Sequence, residues 1–305
     1  MERNVAYLGY PNNIRLANER VELYLSTDYG PRIIRYAPIG GENILGEIPP
    51  SQQRNETPFG EPWHIYGGHR LWHAPEDPVR TYWPDNTPLT VSTRGETVIL
   101  TQDVEGNTQL QKAIEVTLAP SGSEVTLVHR ITNRGAFAVE LALWALTVMA
   151  PEGRAIFPNA PFLPFPEDLL PARPLVLWSY TRLADPRWTW GDRVFQLRQD
   201  PAIATPQKVG FLNKEGWAAY LRKEVLFVKR YAHTPGPHVD FGCNTETFTN
   251  DGMLEVETLS PLVNIAPGAA AEHTERWSLF DGVDAGESEA SLVACIEGAL
   301  AEACA

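Results

Sequence analysis

Proline and glycine interrupt this chain so often that little room is left for helices. The 305 residues include 26 Pro and 23 Gly, and proline is dense from Pro49 to Pro88 and from Pro151 to Pro206. Proline removes a backbone donor and clashes with the preceding helical turn, while glycine loses more conformational entropy than other residues when a helix or strand orders it. These two residues therefore predict short elements joined by turns and ordered loops.

Between the interruptions, apolar and polar residues alternate with a period of two. This period is typical of strands with one buried face. A nearly continuous apolar segment, 138–149, predicts a central strand buried on both faces. The other predicted strands are 21–25, 97–104, 113–118, 124–132, 208–212, 217–221, 225–231, 239–249, 253–258 and 271–279.

A helical period is found near the end of the chain. In 286–303, apolar residues recur at helical spacing, and a helix is expected from about Ser288 to Ala303. Asn250-Asp251-Gly252 predicts a hairpin turn between two strands. Together these patterns predict an all-β fold, one large antiparallel sandwich with a short C-terminal helix, in which 1–305 form a single domain.

Charge and apolar patterning narrow the possible partners. With 25 Lys+Arg against 38 Asp+Glu, the net charge is −13, which argues against nucleic acid and against an anionic membrane surface. The longest apolar run, 141–150, is about half of the ~20 residues that a membrane span needs. The N-terminus lacks a signal-peptide pattern, and three cysteines do not suggest a disulfide framework, so a cytoplasmic location is expected. A neutral small molecule is the expected partner, and the oligomeric state stays open.

Several familiar catalytic patterns are absent from the sequence. It contains no G-x-G-x-x-G, G-x-x-x-x-G-K-[ST], G-x-S-x-G or C-x-x-C. His69 and His73 are four residues apart, but Gly67-Gly68 precede them and Ala74-Pro75 follow. That context is poor for a helical zinc motif, so neither a cofactor nor a metal is expected.

An unusual mixture of aromatic and polar residues occupies 63–76, within a proline-rich stretch that is predicted to form ordered loops over a sheet. These fourteen residues contain two Trp, one Tyr, three His, one Arg and one Glu. Aromatic faces stack on the apolar faces of sugar rings, while charged groups bind hydroxyls, so the segment suits a carbohydrate site. The alternative is that the rings cover a sheet and the histidines are structural.

Five segments together resemble the galactose mutarotase-like superfamily, and in particular poorly characterised relatives of aldose 1-epimerase. They extend from about Asp28 to Phe280, and their order and spacing are more specific for the fold than for an activity. The segments are 28–34 (DYGPRII), 66–76 (YGGHRLWHAPE), 253–262 (MLEVETLSPL), 265–268 (IAPG) and 273–277 (HTERW).

The resemblance implies an antiparallel β-supersandwich whose concave sheet binds carbohydrate. It also implies a late glutamate as base and a histidine as acid in the epimerase reaction. Glu257 matches that glutamate. Glu255 projects from the same face of the strand, and two carboxylates about 7 Å apart can raise one pKa. The alternative is an exposed strand with two solvated glutamates.

One position departs from the family pattern. Trp144 stands where the catalytic histidine of true mutarotases is expected, and His129 has the parity of buried residues. The acid is therefore expected to be His69 or His73, with His233 and His238 as further candidates. The predicted substrate-binding residues are Arg70, Trp72, Glu76, Trp144, Asn244, Glu246 and Glu255.

Three functions remain open from the sequence. The first is an aldose 1-epimerase-like enzyme that acts on a sugar by general acid–base chemistry. The second is hydrolysis or elimination on the same scaffold, with two carboxylates. The third is carbohydrate binding without turnover. A metal site built from His64, His69 or His73 with Glu76 is a minor alternative that is compatible with all three.

Overall fold

A computed structural model describes residues 1–49 and 54–303. Within these residues the chain forms 23 strands and one helix, α1 (Glu289–Glu302). In chain order the strands are β1 (Glu2–Tyr7), β2 (Tyr10–Ala17), β3 (Val21–Leu25), β4 (Arg32–Pro38), β5 (Arg54–Asn55), β6 (Trp63–His64), β7 (His69–Ala74), β8 (Thr90–Arg94), β9 (Thr97–Thr101), β10 (Leu110–Leu118), β11 (Val125–Asn133), β12 (Val139–Met149), β13 (Arg154–Pro158), β14 (Val176–Leu177), β15 (Trp188–Trp190), β16 (Val194–Arg198), β17 (Gln207–Phe211), β18 (Trp217–Arg222), β19 (Val225–Tyr231), β20 (Thr245–Thr249), β21 (Leu254–Leu259), β22 (Val263–Ile265) and β23 (Ala270–Phe280).

Two large antiparallel sheets face each other. The front sheet has 11 strands in the order β1-β2-β3-β4-β7-β12-β21-β20-β17-β14, with β22 beside β12. The back sheet has 10 strands in the order β15-β16-β13-β18-β19-β23-β11-β10-β9-β8. Strands β5 and β6 form a separate pair. The predicted all-β antiparallel sandwich is confirmed.

The main core fills the space between the sheets. Leu23, Leu71 and Leu143 of the front sheet pack there with Leu127 and Trp277 of the back sheet. Alternate residues of each strand point into this layer, so the period-two pattern in the sequence reports one buried face.

Strand β12 confirms the predicted central strand. It pairs with β7, β21 and β22, and every residue from Leu141 to Met149 is buried. Its odd-numbered residues face the main core, whereas Trp144 and Leu146 belong to a second apolar cluster on the outer face of the front sheet. That outer cluster marks the face that carries the candidate site.

The hairpin predicted at Asn250-Asp251-Gly252 is present and joins β20 to β21. The Asn250 side chain accepts hydrogen bonds from the backbone N–H groups of Gly252 and Met253. The strand predicted at 239–249 begins only at Thr245, because Asp240 and Phe241 have φ of 48° and 59°. Those left-handed conformations cannot continue a strand.

Helix α1 covers the outer face of the back sheet. Ser288 caps its N-terminus in a capping box with Ser291. Leu292 and Ile296 of the helix pack against Ile156, among other residues of the back sheet. In the part of the chain that the structure describes, no helix has the length and apolarity needed to cross a membrane.

Candidate functional site

A cleft opens on the outer face of the front sheet, over the neighbouring strands β7, β12, β21, β20 and β17. Its volume is about 220 Å³. Outward parity places Arg70 and Trp72 of β7, Trp144 of β12 and Glu255 of β21 on this face. The residues lining the cleft are Asn55, Trp63, Ile65, Arg70, Trp72, Glu76, Tyr82, Trp144, Leu146, Tyr180, Lys208, Phe248, Met253 and Glu255.

Aromatic rings form one wall of this cleft. The Trp72 ring centroid lies 4.9 Å from Trp63, 4.9 Å from Tyr82 and 5.5 Å from Trp144. The Arg70 guanidinium lies 4.3 Å from the Trp72 ring centroid. Its Nη1 is 2.9 Å from Glu255 Oε1, so an ion pair stands directly beside the aromatic wall.

The most concentrated charge lies at the base of the cleft, on Lys208. Its Nζ is 2.7 Å from Glu246 Oε2 and 3.2 Å from Glu257 Oε2. The register of β20 and β21 places Glu246 directly opposite Glu257. We refer to Glu246, Lys208 and Glu257 as the lysine–glutamate cluster.

Two tryptophans enclose the lysine–glutamate cluster. The Lys208 Nζ lies 4.7 Å from the Trp144 ring centroid and 4.8 Å from that of Trp178. Trp144 Nε1 also donates a 2.9 Å hydrogen bond to Glu257 Oε2. The Trp144 indole therefore fixes the orientation of the Glu257 carboxyl group.

Burial dominates the protonation of these groups. It raises the pKa of Glu257, and it raises that of Glu246 to about 8 in spite of the neighbouring ammonium. Burial alone would lower the pKa of Lys208, yet the two carboxylates hold it well above its ordinary value. Burial thus favours the neutral form of each carboxyl group, while the two glutamates favour the ammonium form of Lys208.

Both glutamates keep an unused oxygen. Among the described residues, Glu246 Oε1 and Glu257 Oε1 are buried without a hydrogen-bond partner. An unpartnered buried carboxylate oxygen is costly unless a ligand or water uses it. These two oxygens are therefore the strongest sign that the cluster meets a polar ligand.

The two histidines predicted as the acid lie on the opposite face of the front sheet, and the expectation that one of them lines the cleft is wrong. His69 Nε2 is 2.6 Å from Nε2 of His129 in the back sheet. His73 is fully buried and has the same parity as His69. The segment is a strand rather than a loop, so these side chains alternate with Arg70 and Trp72.

His129 has the buried, structural position that its parity predicts. Its Nδ1 lies 2.9 Å from the carbonyl oxygen of His273, and Thr147 Oγ1 lies 2.8 Å from Nδ1 of His69. Lys229 Nζ is 3.1 Å from Glu275 Oε1 in the same layer. We refer to these residues as the interior cluster.

The interior cluster brings ligand atoms of His69, His129 and Glu275 within 4.8 Å of one another. Two nitrogens bound tetrahedrally to one zinc at 2.0–2.1 Å would lie roughly 3.3 Å apart. The observed 2.6 Å between the His69 and His129 nitrogens is a hydrogen-bond distance. Glu76 lines the cleft while His69 and His73 face inwards, so neither of these two histidines can share a metal ion with Glu76.

Asn244 is placed differently from its prediction. Its Oδ1 accepts a 2.7 Å hydrogen bond from the Asn213 backbone, and its Nδ2 donates to the Asn213 carbonyl at 2.8 Å. The side chain therefore ties two loops together and does not line the cleft. The other predicted residues do lie in or directly beneath the cleft: Arg70, Trp72, Glu76, Trp144, Glu246 and Glu255.

Sequence reasoning missed Lys208, Tyr82 and Tyr180. Lys208 lies in a correctly predicted strand, but a single lysine in a strand carries no spacing signal. Tyr180 belongs to the proline-rich segment between β13 and β16, whose path over the front sheet has no local pattern.

No family model and no curated protein matches the sequence. Solved structures do match: a galactose mutarotase-like protein from Lactobacillus casei has a TM-score of 0.55 and 12% identity over 88% of this chain and 100% of that one. A galactose mutarotase-like protein from Clostridium acetobutylicum gives 0.52 and 9% over 90% and 97%. A protein from Synechocystis sp. PCC 6803 gives 0.59 and 11% over 92% and 100%. The chain therefore has the galactose mutarotase-like fold.

Proposed function

We propose that this protein binds a carbohydrate in the front-sheet cleft and acts on it as an aldose 1-epimerase-like enzyme. The observation that carries the proposal is the lysine–glutamate cluster. It presents an ammonium at the base of an aromatic cleft, bonded to two buried glutamates that each keep an unused oxygen. The names of the structural neighbours agree with this proposal.

The cleft suits one sugar ring. Its volume of about 220 Å³ is below the roughly 300–1,000 Å³ of pockets for drug-sized ligands. Trp72 supplies an aromatic face for the apolar side of the ring. Arg70 and Glu255 supply donors and acceptors for hydroxyl groups, and because they already neutralise each other, an uncharged ligand is favoured.

Epimerisation at the anomeric carbon requires one proton to leave the anomeric hydroxyl and another to reach the ring oxygen. Glu257 is the proposed base, through its unused Oε1. Lys208 is the proposed acid in place of the missing histidine. The ring oxygen becomes an alkoxide as its bond to carbon breaks, and an alkoxide is basic enough to take a proton from an ammonium of raised pKa. After rotation of the open-chain aldehyde, reclosure reverses both transfers: the Lys208 amine takes back the proton of the ring hydroxyl, and Glu257 returns its proton to the anomeric oxygen.

Binding without turnover is the second candidate function. It is favoured by the complete burial of Glu257, whose Oε2 already bonds with Trp144 and Lys208. On this alternative the lysine–glutamate cluster only orients hydroxyl groups.

The deciding experiment measures binding and anomeric exchange with a panel of free monosaccharides. Binding is followed by tryptophan fluorescence, and exchange by NMR. Saturable binding with accelerated exchange supports the enzyme, whereas binding without acceleration supports the second candidate. If no sugar of the panel binds and none shows accelerated exchange, the proposal is overturned.

Matched tryptophan variants locate the binding site. Trp72→Ala removes a cleft ring and is expected to abolish binding. Trp190→Ala changes a ring on β15 of the back sheet, 42% exposed, and is expected to leave binding intact. Equal loss in both variants would place the sugar outside the cleft.

A further inference from the structure

Two pairs of arginines stand directly opposite each other on the outer face of the back sheet. Arg154 of β13 is paired in register with Arg198 of β16, and Arg230 of β19 with Arg276 of β23. Like charges directly opposite on neighbouring strands destabilise a sheet. Each pair therefore needs a compensating negative charge.

The two pairs differ in how they are compensated. Arg230 Nη2 lies 2.6 Å from Glu124 Oε2 and donates to the Ala303 carbonyl at 2.7 Å. For Arg154 and Arg198, no carboxylate within ion-pair distance occurs among the described residues. Burial, together with the Arg198 charge, lowers the pKa of Arg154.

Arg154 and Arg198 border a cavity rather than a paired carboxylate. It has a volume of about 360 Å³, and Arg154, Arg198, Thr189 and Gln196 line it. Glu152 also lines this cavity and supplies one opposing charge. The site thus combines two guanidiniums with a hydroxyl and an amide, all of which can donate hydrogen bonds.

Two other basic residues of the cavity already have carboxylate partners. Arg187 Nε lies 2.9 Å from Asp185 Oδ1, and Lys223 Nζ lies 2.6 Å from Glu42 Oε1. Among the described residues that line the cavity, Arg154 and Arg198 are thus the basic ones without a carboxylate within ion-pair distance. This local charge stands out in a chain whose net charge is −13.

We propose that this cavity binds a phosphate-type oxyanion, as inorganic phosphate or as a phosphate monoester, between Arg154 and Arg198. The planar guanidinium presents parallel donors that match two phosphate oxygens. The bound anion supplies the charge that Glu124 supplies to the other pair. The site lies on the back sheet and does not depend on the function proposed for the front-sheet cleft.

The test measures thermal unfolding and calorimetric binding with inorganic phosphate and with phenyl phosphate. Sodium chloride keeps the ionic strength constant, so general screening is the same in all samples. A saturable rise in Tm with inorganic phosphate supports a free-phosphate site, and a rise with phenyl phosphate alone supports a monoester site. If neither anion has a saturable effect, the proposal is overturned.

The matched variants are Arg198→Gln and Arg276→Gln, each of which removes one exposed arginine of a cross-strand pair. Arg198→Gln is expected to weaken anion binding about tenfold or more. It is also expected to raise Tm in phosphate-free buffer, because it removes an uncompensated repulsion. Arg276→Gln is expected to leave anion binding unchanged.

Two results would contradict the assignment to this cavity. One is a Tm rise with phosphate that persists undiminished in Arg198→Gln. The other is an equal loss of binding in Arg276→Gln, which would indicate a nonspecific charge effect. Arg154→Gln gives a second reading of the same site if Arg198→Gln does not fold.

Discussion

Two buried lysines with glutamate partners lie in different settings, one between the two sheets and one at the base of the cleft. Lys229 lies in the interior cluster, where its Nζ contacts Glu275 Oε1 at 3.1 Å, Thr147 Oγ1 at 2.6 Å and the Val256 carbonyl at 3.2 Å. Lys208 lies at the base of the cleft, 5% exposed, and has two carboxylate partners.

The electrostatic outcome is opposite in the two clusters. Burial lowers the pKa of Lys229, because the single carboxylate of Glu275 does not offset it. The pKa of Lys208 is raised, because Glu246 and Glu257 together outweigh the same penalty.

Hydrogen bonding also differs between the clusters. Among the described residues, the interior cluster has no unpartnered buried side-chain atom, whereas Glu246 and Glu257 each have one. A closed network holds two sheets together, and an open one at a cleft can bind a ligand.

The largest expected effect is that of Lys208→Met on turnover. Removing a positioned acid or base typically costs 10²–10⁴-fold in rate. Anomeric exchange of a sugar that binds is therefore expected to fall by that factor, while binding persists. Lys229→Met is the control and should preserve the rate per folded molecule. Wild-type exchange in Lys208→Met would exclude Lys208 as the acid.

The free energy of unfolding should respond to the two lysine substitutions in the reverse order, with the larger loss in Lys229→Met. Lys229→Met leaves Glu275 buried without its cation, and breaking a buried pair costs about 3–5 kcal/mol. Lys208→Met should cost less, because burial already favours the protonated forms of Glu246 and Glu257. Urea unfolding followed by fluorescence measures both. An equal loss of stability would show that the lysine–glutamate cluster is also structural.

The same comparison shows how far sequence reasoning reached. Strand parity predicts that Glu255 and Glu257 share one face of their strand, whereas only the resemblance assigned Arg70, Trp72 and Trp144 to the concave face. His69 was misplaced because Gly67-Gly68 favoured a loop, in which alternation would not separate it from Arg70.

Other features lie beyond any local pattern. Lys208 meets Glu257 because β20 lies between β17 and β21 in the front sheet, and sheet order is not encoded by periodicity. The turn at Asp240 that shortens β20 depends on backbone conformations that its residue types do not specify. The strands were thus predictable, and so was the hairpin that sets Glu246 opposite Glu257, whereas the contact of Lys208 with Glu257 across the intervening strand was not.

The pH dependence of the free energy of unfolding should have opposite signs for the lysine–glutamate cluster and the interior cluster. Burial raises the pKa of Glu246 from 4.5 to about 8, so the stability it contributes is present below pH 4.5 and is lost as pH rises through 8. Burial lowers the pKa of His273 from 6.5 to about 3. Its contribution is present above pH 6.5 and is lost as pH falls through 3.

Two variants make this pH prediction measurable by urea unfolding between pH 3 and 9. Glu246→Gln should flatten the loss of stability on the alkaline side, and His273→Gln should flatten the loss on the acid side. A Glu246→Gln profile parallel to that of the wild type from pH 4.5 to 8 would contradict the raised pKa.

The smallest expected effect is that of Glu255→Gln, which tests whether the two glutamates of β21 have separate roles. The amide keeps an acceptor for Arg70 but removes the negative charge that helps burial to raise the pKa of Glu257. Turnover should stay within about tenfold of wild type, while the acid limb of the pH–rate profile moves to lower pH.

Glu257→Gln should abolish that limb together with turnover. Glu297→Gln on α1, 58% exposed at its side chain, should leave the profile unchanged. If Glu255→Gln abolishes turnover and Glu257→Gln does not, the base is two residues earlier on the strand, and the cleft works through the Arg70 pair rather than the lysine–glutamate cluster.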